Sequence, residues 1–114
     1  MNKFFVIFCL LFSGSIFSQS EELTDDYFKR GEFEKALIGY RELYQQNPSN
    51  YNFFYQIIKT QQQLRNYEAV QLLLNEKMTI GQNPALVVEL GYNYQLQDSS
   101  DLAKQYYDKA LKTI

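Results

Sequence analysis

Residues 84–110 read PALVVELGYNYQLQDSSDLAKQYYDKA. Within this stretch Leu90-Gly91 precedes Tyr94, and Ala103, Tyr107 and Ala110 follow after a polar break. Apolar residues recur at helical spacing on both sides of the break. Small residues at fixed offsets from large rings suit two helices that approach closely. Gly91 and Ala103 let the backbones near one another, and the rings of Tyr94 and Tyr107 fill the space beside them.

Working back from this stretch, the same layout recurs twice. Phe33, Ala36, Leu37, Tyr40, Leu43 and Tyr44 form one helical stripe, preceded by Leu23, Tyr27 and Phe28. Gly31 punctuates the two, since glycine takes the left-handed conformation that ends a helix. Asn47-Pro48-Ser49-Asn50 stops the second helix and caps the next. Phe54, Ile57 and Ile58 then lead to Tyr67, Val70, Leu73, Leu74 and Met78, with Asn66 the expected left-handed residue at the turn. Gly81 is expected to end that helix, and Asn83-Pro84 reads as a cap with proline in the first turn. No run alternates with period two, so strands are not expected.

The three pairs superimpose at a period of 33 to 34 residues. Tyr27, Gln61 and Tyr94 fall together, as do Phe33, Tyr67 and Ser100. Ala36, Val70 and Ala103 match, and so do Tyr40, Leu74 and Tyr107. This pattern resembles the tetratricopeptide repeat over essentially all the chain beyond residue 18. The third repeat fits best. The second departs, with Val70 for the usual alanine, Arg65 at the usual glycine place and Lys77 where Ala110 stands, which predicts looser or shifted packing there. The resemblance implies an all-α fold, a short right-handed α-solenoid of three stacked antiparallel helix pairs. The expected repeats are about 19–50, 51–83 and 84–114. It implies a module that binds proteins and performs no chemistry.

The N-terminus has a different character. Lys3 forms a basic head, and Phe4 to Phe12 is an unbroken apolar run. This is the layout of a signal peptide spanning 1–18, cleaved after Ser18 so that the mature chain begins at Gln19. The run is too short to span a bilayer, which takes about 20 residues. Cys9 lies inside the run and not after it, which argues against lipidation. Five of the nine Phe fall in this segment, whereas all ten Tyr follow residue 26. The mature chain is thus Tyr-rich, which suits shallow cores and interfaces. The expected location is exported, in the periplasm or cell envelope of a bacterium, with no membrane-spanning segment in the mature chain.

Composition removes several classes of function. Loss of Lys3 takes the charge from 11 − 13 = −2 to 10 − 13 = −3, with no basic patch for nucleic acid. Beyond residue 18 there is no Cys and no His, so thiolate nucleophiles, imidazole bases and common zinc sites are unavailable. The pairs Asp25-Asp26, Glu32/Glu34 and Asp98/Asp101 read as acids at helix starts and turns, where they complement the helix dipole. Asp98-Ser99-Ser100-Asp101 lacks the spacing of a calcium loop, and the isolated glycines form no phosphate loop. No catalytic residue, metal site or cofactor is expected.

What remains is a surface. In the tetratricopeptide family the first helix of each pair lines a concave groove. The matching stripes are Asn52, Tyr55, Lys59, Gln62 and Ala85, Val88, Tyr92, Gln95. Each keeps the spacing of one helix ridge. Tyr55, Lys59, Gln62, Val88, Tyr92 and Gln95 are the expected partner-binding residues, for a peptide or a partner helix. Only Lys59 is basic, so the carboxylate clamp of some family members is not expected. Two alternatives stand beside this. The chain is an N-terminal fragment of a larger envelope protein carrying a catalytic or anchoring part, or it is a subunit that self-associates through its C-terminal helix. Leu102 and Tyr106 widen the apolar surface there beyond one partner helix.

Overall fold

The computed structural model describes residues 20–78 and 83–113. The expected signal peptide, its junction at Ser18 and Gln19, and Gly81 lie outside the described residues. Among the described residues the chain is entirely helical, with six helices and no strand. They are α1 (Glu21–Lys29), α2 (Phe33–Gln46), α3 (Tyr51–Gln63), α4 (Tyr67–Met78), α5 (Pro84–Leu96) and α6 (Ser100–Lys112). Two compact units divide within α3, the first running to Ile57 and the second beginning at Ile58.

In the first unit α1 packs against α2. Ser20 caps α1, its hydroxyl accepting from the Leu23 N–H at 3.1 Å, with Glu21 and Glu22 in the first turn. Phe28 meets Phe33 edge-on at 5.3 Å and Tyr40 at 6.5 Å. The Tyr40 hydroxyl donates to Asp25 Oδ1 at 2.5 Å, and Asp26 pairs with Arg30 at 2.8 Å. Asp25 and Asp26 therefore lie in the body of α1 and serve side-chain partners, not at a helix start as the sequence suggested. Tyr44 meets the Phe54 ring at 5.9 Å.

The inward face of α1 also differs from expectation. Leu23 is 41% exposed, and Thr24 is fully buried in its stead. Threonine is tolerated inside because its hydroxyl donates to the Ser20 carbonyl at 3.0 Å. Thr24 stands 34 residues before Ile58 and 67 before Gly91, which are also buried.

In the second unit α5 packs against both α4 and α6. Asn83 caps α5, its side chain accepting from the Ala85 N–H at 3.0 Å, with Pro84 in the first turn. Leu86, Val87 and Leu90 are buried. A Cβ placed on Gly91 would lie 2.7 Å from Tyr107 Cε1 and 3.2 Å from the Ala103 carbonyl oxygen. The tight approach of α5 and α6 anticipated at Gly91, Ala103 and Tyr107 is present. Val70 and Leu74 are fully buried, so the larger residue at the second repeat's alanine position is enclosed.

The turns inside the pairs carry the repeat in its clearest form. Gly31, Arg65 and Asp98 all have positive φ, at 79°, 61° and 58°. Their spacings are 34 and 33 residues. At each turn the N–H three residues past the helix reaches back five: Glu32 to Tyr27, Asn66 to Gln61 and Ser99 to Tyr94, at 2.9, 2.9 and 3.0 Å. The left-handed residue itself donates to the carbonyl three before it, at Phe28, Gln62 and Gln95. These paired bonds satisfy carbonyls that a helix end leaves open. The next helix opens identically, as Ala36, Val70 and Ala103 donate to Glu32, Asn66 and Ser99.

One expectation fails here. The left-handed residue of the second turn is Arg65 and not Asn66. Asparagine tolerates that conformation better, but the turn's register decides. Asn66 instead donates from its amide to Gln61 Oε1 at 2.8 Å.

Candidate functional site

The outer face of α5 is the best-defined surface that the sequence singled out. Three apolar side chains on it, four residues apart, remain open: Val88 at 41%, Tyr92 at 45% and Leu96 at 37%. Residues four apart share a helix face, so the three make one strip. Val88 and Tyr92 were anticipated. Leu96 was not, because the expected ridge stopped at Gln95. Exposed apolar residues that align in this way have more meaning than scattered ones.

Both edges of the strip are polar. On one side Gln95 is exposed, and its carbonyl oxygen accepts from the Tyr107 hydroxyl at 2.7 Å. That bond ties the α6 ring to α5 and pins both side chains. Burial raises the Tyr107 hydroxyl above its ordinary value, and the nearby Glu89 and Tyr92 add to the effect. Glu89 of α5, three residues before Tyr92, also borders the strip and lies in the field of Lys59 of α3. Glu89 is half-buried, and desolvation pushes its carboxyl up, with Lys59 partly opposing this. Among the described residues no hydrogen bond or ion pair holds the Glu89 carboxylate. The sequence marked Lys59 but not Glu89, since burial of an acid inside an exposed helix face leaves no pattern to read.

Gln62 sits apart from the other expected residues. It is 7% exposed, and its amide donates to Asn93 Oδ1 at 3.4 Å. Asn93 is itself fully buried and donates to the Tyr67 carbonyl at 3.0 Å. Gln71 donates to the Tyr94 hydroxyl at 2.6 Å, and Tyr94 stacks on Tyr106 at 5.3 Å. Gln62 thus belongs to a polar interior joining α3, α4 and α5. Buried amides of this kind must be paired, and a polar letter alone does not distinguish them from surface ones. Tyr55 lies in the first unit, half-buried against Phe54 at 5.9 Å.

Among the described residues no cluster of metal-ligating side chains occurs, and no helix is long and apolar enough to cross a membrane. An open depression of about 770 Å³ lies along α1, lined by acids at Glu21, Glu22, Asp25 and Asp26 together with Ser20, Leu23 and Lys29. Its carboxylates are partly engaged, Asp25 by Tyr40 and Asp26 by Arg30. Comparison with protein-family models, with curated proteins and with solved structures finds no match.

Proposed function

We propose that this chain is a small tetratricopeptide-type repeat domain that binds a protein or peptide without catalysis. In this reading the helix pairs stack as a short right-handed solenoid. The compartment is the bacterial periplasm or cell envelope, reached through the N-terminal signal peptide. The observation that carries the reading is the threefold turn at Gly31, Arg65 and Asp98, with the same bonds each time. Repeats of one supersecondary unit build binding surfaces from their exposed helices. The strip of Val88, Tyr92 and Leu96 is such a surface, and exposed aromatics dominate the energetics of interfaces.

The test is capture from envelope extract with the mature protein and a Tyr55→Ala/Tyr92→Ala double variant. The variant should lose the partner while its circular dichroism stays that of the parent. Unchanged capture would move the binding surface to another face. N-terminal sequencing of the exported product should begin within about two residues of Gln19. A product that keeps Met1 would remove the exported compartment from the reading.

A second reading is self-association through α6. Leu102 and Leu111 favour it, being 42% and 68% exposed. Sedimentation at tens of micromolar separates the two, because only self-association makes the mass rise with concentration.

A further inference from the structure

We propose that the outer face of α5 takes an amphipathic helical segment bearing a basic side chain, and that Glu89 selects for that side chain. The proposal rests on reading this face as a binding surface and names the chemistry of its partner.

The shape of the strip argues for a helix. Val88, Tyr92 and Leu96 repeat every four residues, and eight residues of helix rise about 12 Å. A partner helix presenting apolar residues at three- and four-residue spacing lies along such a ridge. The strand-edge pairing by which many extended peptides gain affinity needs a free strand. No strand exists among the described residues.

The charge argues for a base. Glu89 directly follows Val88 and stands three residues before Tyr92, so it borders the strip. Its carboxylate is half-buried, and among the described residues nothing binds it. A helix docking on the strip would expel more of the water that still solvates it. An acidic partner group placed there would meet repulsion as well as that loss. A neutral group would leave the charge uncompensated. An arginine or lysine would replace the lost water with a charge-assisted hydrogen bond. Lys59 is the cation whose field already reaches Glu89. It is exposed and forms no ion pair with Glu89 within 4.0 Å among the described residues. It therefore competes with a partner's base without satisfying the acid.

The experiment uses three synthetic amphipathic helical peptides with identical leucine spacing. They carry Arg, Gln or Glu at one flanking position. Binding to the mature protein is read by fluorescence anisotropy. The expected order is Arg, then Gln, then Glu, with about fivefold or more between the extremes, as partly desolvated charge pairs give. Glu89→Gln should flatten that order. Lys59→Gln should widen it, because the competing cation is gone. Tyr92→Ala should weaken all three peptides alike. Equal binding of the three peptides overturns the proposal, as does an Arg preference that survives Glu89→Gln, or no binding at 100 µM, roughly the weakest affinity expected of a transient interface. Suppose the order is absent while Tyr92→Ala still abolishes envelope capture. Glu89 selection then fails and the binding face stands. If Tyr55→Ala/Tyr92→Ala leaves capture unchanged, the binding face itself fails.

Discussion

Gly91 and the ring of Tyr107 occupy adjoining space so closely that a Cβ on the glycine would sit 2.7 Å from Cε1 and 2.8 Å from Cδ1. Moving the ring aside would also break the bond from its hydroxyl to Gln95. Gly91→Ala therefore overpacks the α5–α6 contact, at about 1–3 kcal/mol. Alanine's better helix propensity offsets at most about 1 kcal/mol of this. Urea denaturation should show a net loss, and Ala103→Leu a larger one. Parent-like stability for both variants would mean that the two helices do not approach as described.

The turns make opposite predictions at equivalent positions. Gly31 has open space where a Cβ would go, so only its φ of 79° opposes a side chain. Gly31→Ala should cost about 1 kcal/mol from the left-handed backbone alone. Arg65 already bears that strain at φ 61°. Arg65→Gly should stabilise by about 0.5–1 kcal/mol, after allowing for the freer unfolded chain. Thermal melts of the two single variants check both signs.

Asn93 is the hub of the polar interior. Asn93→Ala leaves the buried Gln62 amide without its acceptor and removes a second donor from the part-buried Tyr67 carbonyl. Leaving buried groups unpaired costs about 1–3 kcal/mol. Gln62→Ala should cost less, since its bond at 3.4 Å is long. Equilibrium unfolding of the two variants should rank them in that order.

Glu89 predicts a dependence on pH. Its carboxyl is raised above the ordinary 4.5 because burial disfavours the charged form. Between the unfolded and folded values the folded chain binds more protons. Stability contributed by this group therefore falls as pH rises through that window. The penalty is absent below the unfolded value and complete above the folded one. Glu89→Gln should be more stable than the parent near pH 7, and the difference should shrink as pH falls through that window and be lost by about pH 4. Denaturation of both proteins at each pH isolates Glu89 from the other acids. A constant difference across pH would mean that the carboxyl is not desolvated.

Particular residues show what was legible in the chain and what was not. The Gly91–Tyr107 contact could be read because a small residue opposite a large ring leaves a compositional trace. The cap at Asn83 and the turn at Gly31 were equally plain, since few residues do those tasks well. Thr24 was hidden because its polarity is met by a carbonyl four residues earlier, a bond invisible in a letter string. Gln62 was placed on the surface for the same reason, its pairing with Asn93 spanning 31 residues. Arg65 was passed over because propensity favoured its neighbour, while the register of the turn set the strain. Leu96 and Glu89 were missed for want of any way to know how far the open face of α5 extends.

The brevity of the turns has a kinetic consequence. Tyr40 finds Asp25 across 15 residues and Tyr107 finds Gln95 across 12. Closing such short loops takes tens of nanoseconds, on the order of 10–100 ns for ten residues. Proteins rich in local contacts fold within microseconds to milliseconds. The first and third helix pairs can thus form by closing on themselves, without a search along the chain for a distant partner. The same economy makes each of these pairs an opening unit. Hydrogen exchange should find amides within a pair released together, with the strained hinge at Arg65 a natural place for opening to begin.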